Sequence, residues 1–269
     1  RGVIPKRRLR SLCAWKMRSS DLPWRTLRRW IRKFWTKYPL GSGMVFPMRG
    51  RLITVCGLIG SGKSTFTQDL SDMLGAVPLT EPAGDDRNPY LSRFYDDRKR
   101  WAFTMQAHLL YQRSEVQQRA MEETMHGRDV VMDSSVWQDM AYADMLSESG
   151  DMTPDEYRTY LSIARMVSRT AVMPDATIYL EVPITECLER INLRMEENAK
   201  RVCESRIETK YLNSLQTHIK RNIYPLPNKV FMPWGDYIPS TSHRRMRIQN
   251  LWPLVEEVCP EIASDQLCL

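Results

Sequence analysis

The chain has no apolar run of 18 residues: the longest, near Leu52 to Ile59 and Ala176 to Val182, are of strand length. A helix crossing a bilayer needs about 20 such residues, so no transmembrane segment is expected. Cysteine is sparse and scattered. Cys13, Cys56, Cys187, Cys203, Cys259 and Cys268 form no CxxC or CxxC/HxxxH spacing, which argues against a zinc site and a small disulfide scaffold and leaves reduced, mostly buried thiols. The histidines, His108, His126, His218 and His243, make no cluster, and none stands beside a serine or cysteine nucleophile signature. Acids are almost missing from the first 43 positions, where 13 Lys or Arg face Asp21 alone. Residues 44–269 therefore carry 26 basic and 31 acidic groups, a net of −5 inside a chain of net +7. A body built to bind nucleic acid carries its positive charge on the folded surface. Here the basicity belongs to the tail, and no nucleic-acid partner is expected for the domain.

That tail, residues 1–47, also holds four of the eight tryptophans, Trp15, Trp24, Trp30 and Trp35. Trp24, Leu27, Ile31, Phe34, Trp35 and Tyr38 recur at helical spacing, with Arg25, Arg28, Arg29, Arg32 and Lys33 on the other face. Such a basic amphipathic helix suits a mitochondrial transit peptide, a membrane-surface helix or a nucleic-acid arm. Met44 and Met48 stand just before the first strand, which equally suits upstream sequence outside the mature protein. A bare domain belongs in the cytoplasm, and a working transit peptide sends it to mitochondria. Pro39, Gly41, Gly43 and Pro47 mark the linker, after which residues 48–269 are expected to form one α/β domain.

The domain opens with a strand, Arg51 to Cys56, that runs into Gly57-Leu58-Ile59-Gly60-Ser61-Gly62-Lys63-Ser64-Thr65. This is G-x-x-x-x-G-K-S between a strand and a helix, Ser64 to Leu74, that stops at Gly75. Glycines let backbone N–H groups close around phosphate oxygens, and the helix N-terminus adds a favourable dipole. Lys63 is placed to reach the β- and γ-phosphates of ATP, and the Ser64 hydroxyl to ligate Mg²⁺. The expected fold is a P-loop NTPase-type three-layer α/β architecture with a five-stranded parallel sheet flanked by helices. No N-K-x-D or D-x-x-G pair occurs at GTPase spacing, since Asn228-Lys229 is followed by Val230-Phe231. A small kinase is left, whose acceptor must be read from the rest of the chain.

The second strand, Ala76 to Thr80, ends in Glu81-Pro82, where a carboxylate faces the crevice outside the strand ends. Asn88 to Arg113 then reads NPYLSRFYDDRKRWAFTMQAHLLYQR. The P-loop, the E-P after strand two, the F-Y-x-D-x-x-R-W-x-F-x-x-Q helix and an Arg seven residues beyond its Gln together resemble the deoxynucleoside kinase family, from about Leu52 to Leu215. By that resemblance Glu81 is the general base for a sugar 5′-hydroxyl, Tyr95 contacts the 3′-hydroxyl and Trp101 packs beside the nucleoside. Gln106 reads the base edge through its amide donor and acceptor. Arg113 and Asp139 match the pair that contacts the base in purine- and cytosine-preferring members, so deoxyadenosine, deoxyguanosine or deoxycytidine is the expected acceptor.

The third strand, Asp129 to Met132, delivers Asp133 as the acid that helps hold Mg²⁺. Two departures from the family pattern follow: Ser134 where an Arg is usual, and Ala143 where a Phe stacks on the base, with Tyr142 adjacent. Thr153, Pro154 and Glu156 are placed for a capping box at a helix start. Strand four lies within Met173 to Pro183. The next stretch is similar to the family's lid, in which Arg190 and Arg194 close over the transferring phosphoryl group and Glu197 approaches the sugar. Lys200 and Arg201 read as a charged helical face. Val230 to Met232 is strand five, Trp234 to Tyr237 a loop expected to cover the nucleotide base, and Met246 to Val258 a closing helix. The resemblance implies ATP-dependent deoxynucleoside salvage by a homodimer. A nucleoside monophosphate (thymidylate-like) kinase shares the fold, though its acceptor phosphate needs more basic contacts than Ser134 leaves. A catalytically impaired nucleotide-binding protein is the alternative that Ser134 and Ala143 suggest.

Overall fold

Six consecutive buried residues, Leu52–Gly57, form β1, and a strand apolar on both faces belongs in the interior of a covered parallel sheet. β1 pairs with β3 (Val130–Asp133) on one side and β4 (Ala176–Glu181) on the other, in registers that set Leu52 against Val130 and Ile53 against Ala176. The edges are β2 (Val77–Leu79), paired to β3, and β5 (Lys229–Pro233), paired to β4. All pairs are parallel, and the order is β2-β3-β1-β4-β5. Pro78, which has no N–H for a ladder, is tolerated because β2 is an edge. The computed structural model describes residues 49–80, 88–197, 199–260 and 262. The readings made above for the tail, for Glu81, for Cys13 and Cys268 and for the side chain of Lys200 lie outside the described residues.

Helix α1 (Lys63–Leu74) starts at the P-loop and ends at Gly75, which takes the left-handed conformation at φ 62° and donates its N–H to the Ser71 carbonyl. Asp97 divides α2 (Leu91–Asp96) from α3 (Arg98–Met125) and caps the latter, its carboxylate accepting from the Arg100 N–H at 3.1 Å. Ser135 caps α4 (Val136–Glu148). The expected capping box is present at α5 (Pro154–Thr170): Thr153 accepts from the Glu156 N–H at 3.3 Å, and Glu156 accepts from the Thr153 N–H at 2.9 Å. α6 (Ile184–Glu197), a 3₁₀ segment (Ala199–Arg206) and α7 (Thr209–Ile223) follow β4. The closing helix begins earlier than expected and is two: α8 (Thr241–Leu251) and α9 (Pro253–Val258) meet at Trp252. Pro253 cannot donate to the preceding turn and can only start a new helix.

The core falls into a large cluster and a smaller one. Phe66, Leu70 and Met73 of α1 share one buried cluster with Val55, Ile178, Tyr179 and Trp252, all 2% exposed or less. A smaller cluster of Leu52, Leu79, Val116, Ala120, Val130 and Met132 seats α3 on β2 and β3. At the N-terminal ends of the strands two carboxylates act as clamps. Asp129 accepts from the Arg51 N–H at 2.6 Å, and Asp175 accepts from the Leu52 N–H at 2.8 Å and from Arg49 at 2.8 and 3.0 Å. Burial pushes the Cys56 thiol up to about 12. Among the described residues no helix is long and apolar enough to cross a membrane.

Candidate active site

The loop from Gly57 to Gly62 gathers at the C-terminal end of the central strand. Gly60 and Gly62 take positive φ, 80° and 86°, and a Cβ at Gly60 would come within 2.4 Å of the Cys187 carbonyl oxygen on α6. Gly62 is the N-cap of α1 and offers no side chain to its first-turn N–H groups, so those donors are left to a ligand. Leu58 is buried in the core, Ile59 packs on it, and Thr65 faces outward. The Ser61 hydroxyl is buried without a hydrogen-bond partner. Lys63 Nζ donates to the Leu58 carbonyl at 2.9 Å, lying across the loop. Ser64 Oγ donates to Asp133 Oδ2 at 2.5 Å, bringing a hydroxyl and a carboxylate from β3 together as hard oxygen donors. Among the described residues no group of three His, Cys, Asp or Glu is assembled for a metal. The donor set thus fits a Mg²⁺ held by one carboxylate, the Ser64 hydroxyl and phosphate oxygens.

Arg190 reaches this cradle from α6. Its Nη1 donates to the Ser61 carbonyl at 2.9 Å, and Nη2 to Glu186 at 2.5 Å. Beside it lies a crevice of about 140 Å³ lined by Gly62, Thr65, Arg190, Trp234, Tyr237 and Arg244. Trp234 is held edge-on against Phe66 with ring centroids 4.9 Å apart, and Glu186 accepts from the Asp236 N–H at 3.0 Å. The loop after β5 therefore stands next to the cradle.

A second wall is built from α2, α3 and α4. Gln106 and Arg113 are seven residues apart on one face of α3, and both are buried, at 2% and 8% exposure. The Gln106 side-chain oxygen has no hydrogen-bond partner. Arg113 forms an ion pair with Asp139 Oδ1 on α4, and Asp139 is wholly buried. Tyr142, one turn further on, places its ring 5.8 Å from the Arg113 guanidinium. Tyr95 on α2 is 8% exposed, and burial pushes its hydroxyl well above the ordinary tyrosine value, with Tyr211, Glu204 and Tyr142 adding to it. The ring contacts of Trp101 are different. It stacks on Tyr90 at 5.8 Å and lies beneath the guanidinium groups of Arg100 and Arg93 at 4.6 and 5.1 Å.

A phosphate cradle and a buried amide wall thus share one α/β domain, and a sequence profile described as "Deoxynucleoside kinase" matches residues 53–229. The chain belongs to the deoxynucleoside kinase family. It is 34% identical over 168 residues to a deoxyadenosine kinase of Dictyostelium discoideum, covering 62% of this chain and 64% of that protein. A deoxyadenosine/deoxycytidine kinase of Bacillus subtilis is 35% identical over 171 residues, 61% of this chain and 76% of the relative. Among solved structures, deoxyadenosine kinase from M. mycoides with bound dCTP superposes with a TM-score of 0.59 at 23% identity, over 75% of this chain and 98% of that one, a likeness of fold.

Three features of this kinase-family chain go beyond the sequence reading. Glu197 is exposed at the end of α6, and the structure does not bring it to the site. The carboxylate that neighbours Tyr95 is Glu204 in the 3₁₀ segment, 4% exposed. Glu204 accepts from Arg194 at 2.6 Å and from Arg201 at 2.8 Å, so Arg201, half-buried, is paired with a buried carboxylate rather than set on a solvated face. Arg194 accordingly stands with Glu204, and Arg190 is the α6 arginine in contact with the P-loop. Ser134 has a local role of its own. It takes φ 65°, donates its N–H to the Val55 carbonyl at 2.9 Å, and accepts from Gln138 Nε2 at 3.2 Å. Gln138 Oε1 in turn accepts from the Gly57 N–H at 3.0 Å, joining α4 to the phosphate loop. At the third position Ala143 is buried, and Tyr142 is the aromatic beside Arg113. Gln138 and Glu204 carried no sequence signal beyond polarity, whereas Tyr142 was visible but had no direction.

Proposed function

We propose that the protein transfers the γ-phosphoryl group of ATP to the 5′-hydroxyl of a deoxynucleoside, with deoxyadenosine, deoxyguanosine or deoxycytidine preferred. The observation that carries the reading is the buried, unpartnered oxygen of Gln106 on the face of α3 that also carries the Arg113–Asp139 pair. Leaving such an acceptor unpaired costs about 1–3 kcal/mol, so it marks the place of a ligand donor. A base edge with adjacent donor and acceptor atoms satisfies Gln106, while Arg113 offers N–H groups and Asp139 fixes their direction. The sugar then lies toward Tyr95 and Glu204. The related enzymes of Dictyostelium discoideum and Bacillus subtilis are named for deoxyadenosine and deoxycytidine, in keeping with this wall.

On the donor side the amides about Gly60 and Gly62, with Lys63, receive the phosphates, and the crevice beside Trp234 and Tyr237 takes the nucleotide base. Mg²⁺, held by Ser64 and Asp133, supplies neutralisation of the triphosphate charge. Arg190, docked on the loop, stabilises charge that grows on the transferred group. Glu81, two positions beyond β2 in the sequence, takes the proton from the attacking hydroxyl. By resemblance the active species is a homodimer, which sedimentation of the full chain would check.

The test is an assay of the full chain with ATP, Mg²⁺ and each of the four deoxynucleosides, with Glu81→Gln as the control. Product from a purine or cytosine deoxynucleoside that disappears in the control supports the reading. Thymidine preference would overturn the base assignment, and ATP binding without any product would overturn the activity. Gln106→Leu is expected to lower kcat/KM for the preferred deoxynucleoside about 10- to 100-fold while leaving the KM for ATP unchanged.

A further inference from the structure

We infer that Tyr160 on α5 is the positioning residue that sets base choice, by holding the Asp139 carboxylate through its hydroxyl. α5 has 17 residues, of which only Tyr160 and Ala164 are buried. Tyr160 is wholly buried, and its hydroxyl donates to Asp139 Oδ2, the oxygen opposite the one that Arg113 engages. A carboxylate with no exposure to water needs donors on its oxygens to stay ionised there. Arg113 and Tyr160 provide one on each side. Packing alone would be served by phenylalanine, so the hydroxyl has a separate task. Burial pushes the Tyr160 phenol far above its ordinary value, which keeps it a donor throughout the physiological range.

The geometry gives the hydroxyl a consequence for recognition. With Oδ2 held by Tyr160, the carboxylate plane cannot turn, and the Arg113 guanidinium beside the Tyr142 ring is presented to the base in one orientation. Without the hydroxyl, Oδ2 is released. Asp139 can then rotate or accept from a different base edge, and discrimination between bases relaxes. This rests on the reading that Arg113 and Asp139 face the base.

The experiment compares wild type, Asp139→Ala and Tyr160→Phe, full chain, for kcat and KM with all four deoxynucleosides and for the KM of ATP, together with thermal melting. Asp139→Ala is the check on the underlying reading: an unchanged base profile would overturn both that reading and this inference. Given a changed profile there, Tyr160→Phe is expected to shift the ratio of kcat/KM between the best and second-best base about tenfold, carried by the nucleoside KM, with the ATP KM within about twofold of wild type. An unaltered ratio in Tyr160→Phe, or an equal loss for every base together with a lower Tm, would show a packing role and overturn the inference.

Discussion

Gly60 shows how little freedom the phosphate loop has. Its φ of +80° disfavours any side chain, and a Cβ there would meet the Cys187 backbone oxygen at 2.4 Å, where relief requires moving α6 itself. Gly60→Ala is therefore expected to weaken ATP binding at least about tenfold, since the strain and the clash each cost of the order of 1–3 kcal/mol; calorimetric titration with ATP would reveal a tolerant loop if affinity held. Single residues of this kind were readable because their neighbours in the chain define them. The glycines, Lys63 and Ser64 lie within one loop, and Gln106 and Arg113 are two helical turns apart. Glu204 was not readable for the opposite reason. Counting along α6 from Arg190 and Arg194 arrives at Glu197, but the 3₁₀ segment breaks the helical period, and it is the later carboxylate that returns to Tyr95. Tyr160 likewise acts across helices, where one sequence carries no pairing signal.

At the scale of elements, the strands, the parallel sheet and the α5 capping box followed from apolar runs and cap chemistry, with ends displaced by one to three residues. The closing helix was misread because its apolar pattern continues across Pro253. The joint between β1 and β3 lends itself to a pH test. Partial burial of Asp129 alone would raise its pKa, but hydrogen bonds from the Arg51 side chain and N–H, with its charge, hold the carboxyl below the usual range. An unfolded Asp titrates near about 3.9, so the folded state binds fewer protons there. The stabilisation is complete above that value and is lost as pH falls through the lower folded one. The urea midpoint of Asp129→Asn is thus expected to lie below wild type by a constant interval from about pH 5 to 8, closing below about pH 4. A gap independent of pH down to the acid limit would remove the ion pair from the account.

Across the molecule, the sheet separates stability from chemistry by its polarity. Gly57 and Asp133 end their strands at the cradle, whereas the Asp129 and Asp175 clamps sit at the opposite ends. Asp175→Asn is expected to lower Tm and leave the KM for ATP alone. Arg190→Ala should do the reverse, cutting kcat about 100-fold with little change in melting; a matched loss of Tm and activity in both variants would refute the separation. The strand order also bears on how the chain is made. All six residues of β1 are buried, yet its neighbours arrive from far along the sequence, with Arg51 meeting Asp129 across 78 positions and Leu52 meeting Asp175 across 123. At a synthesis rate of about 5–20 residues per second, the most apolar strand waits about 4–16 s on the ribosome before a partner exists. During that interval a sticky, unpaired edge is open to holdase chaperones and to aggregation, and the yield of folded protein becomes a matter of translation speed as much as of final stability.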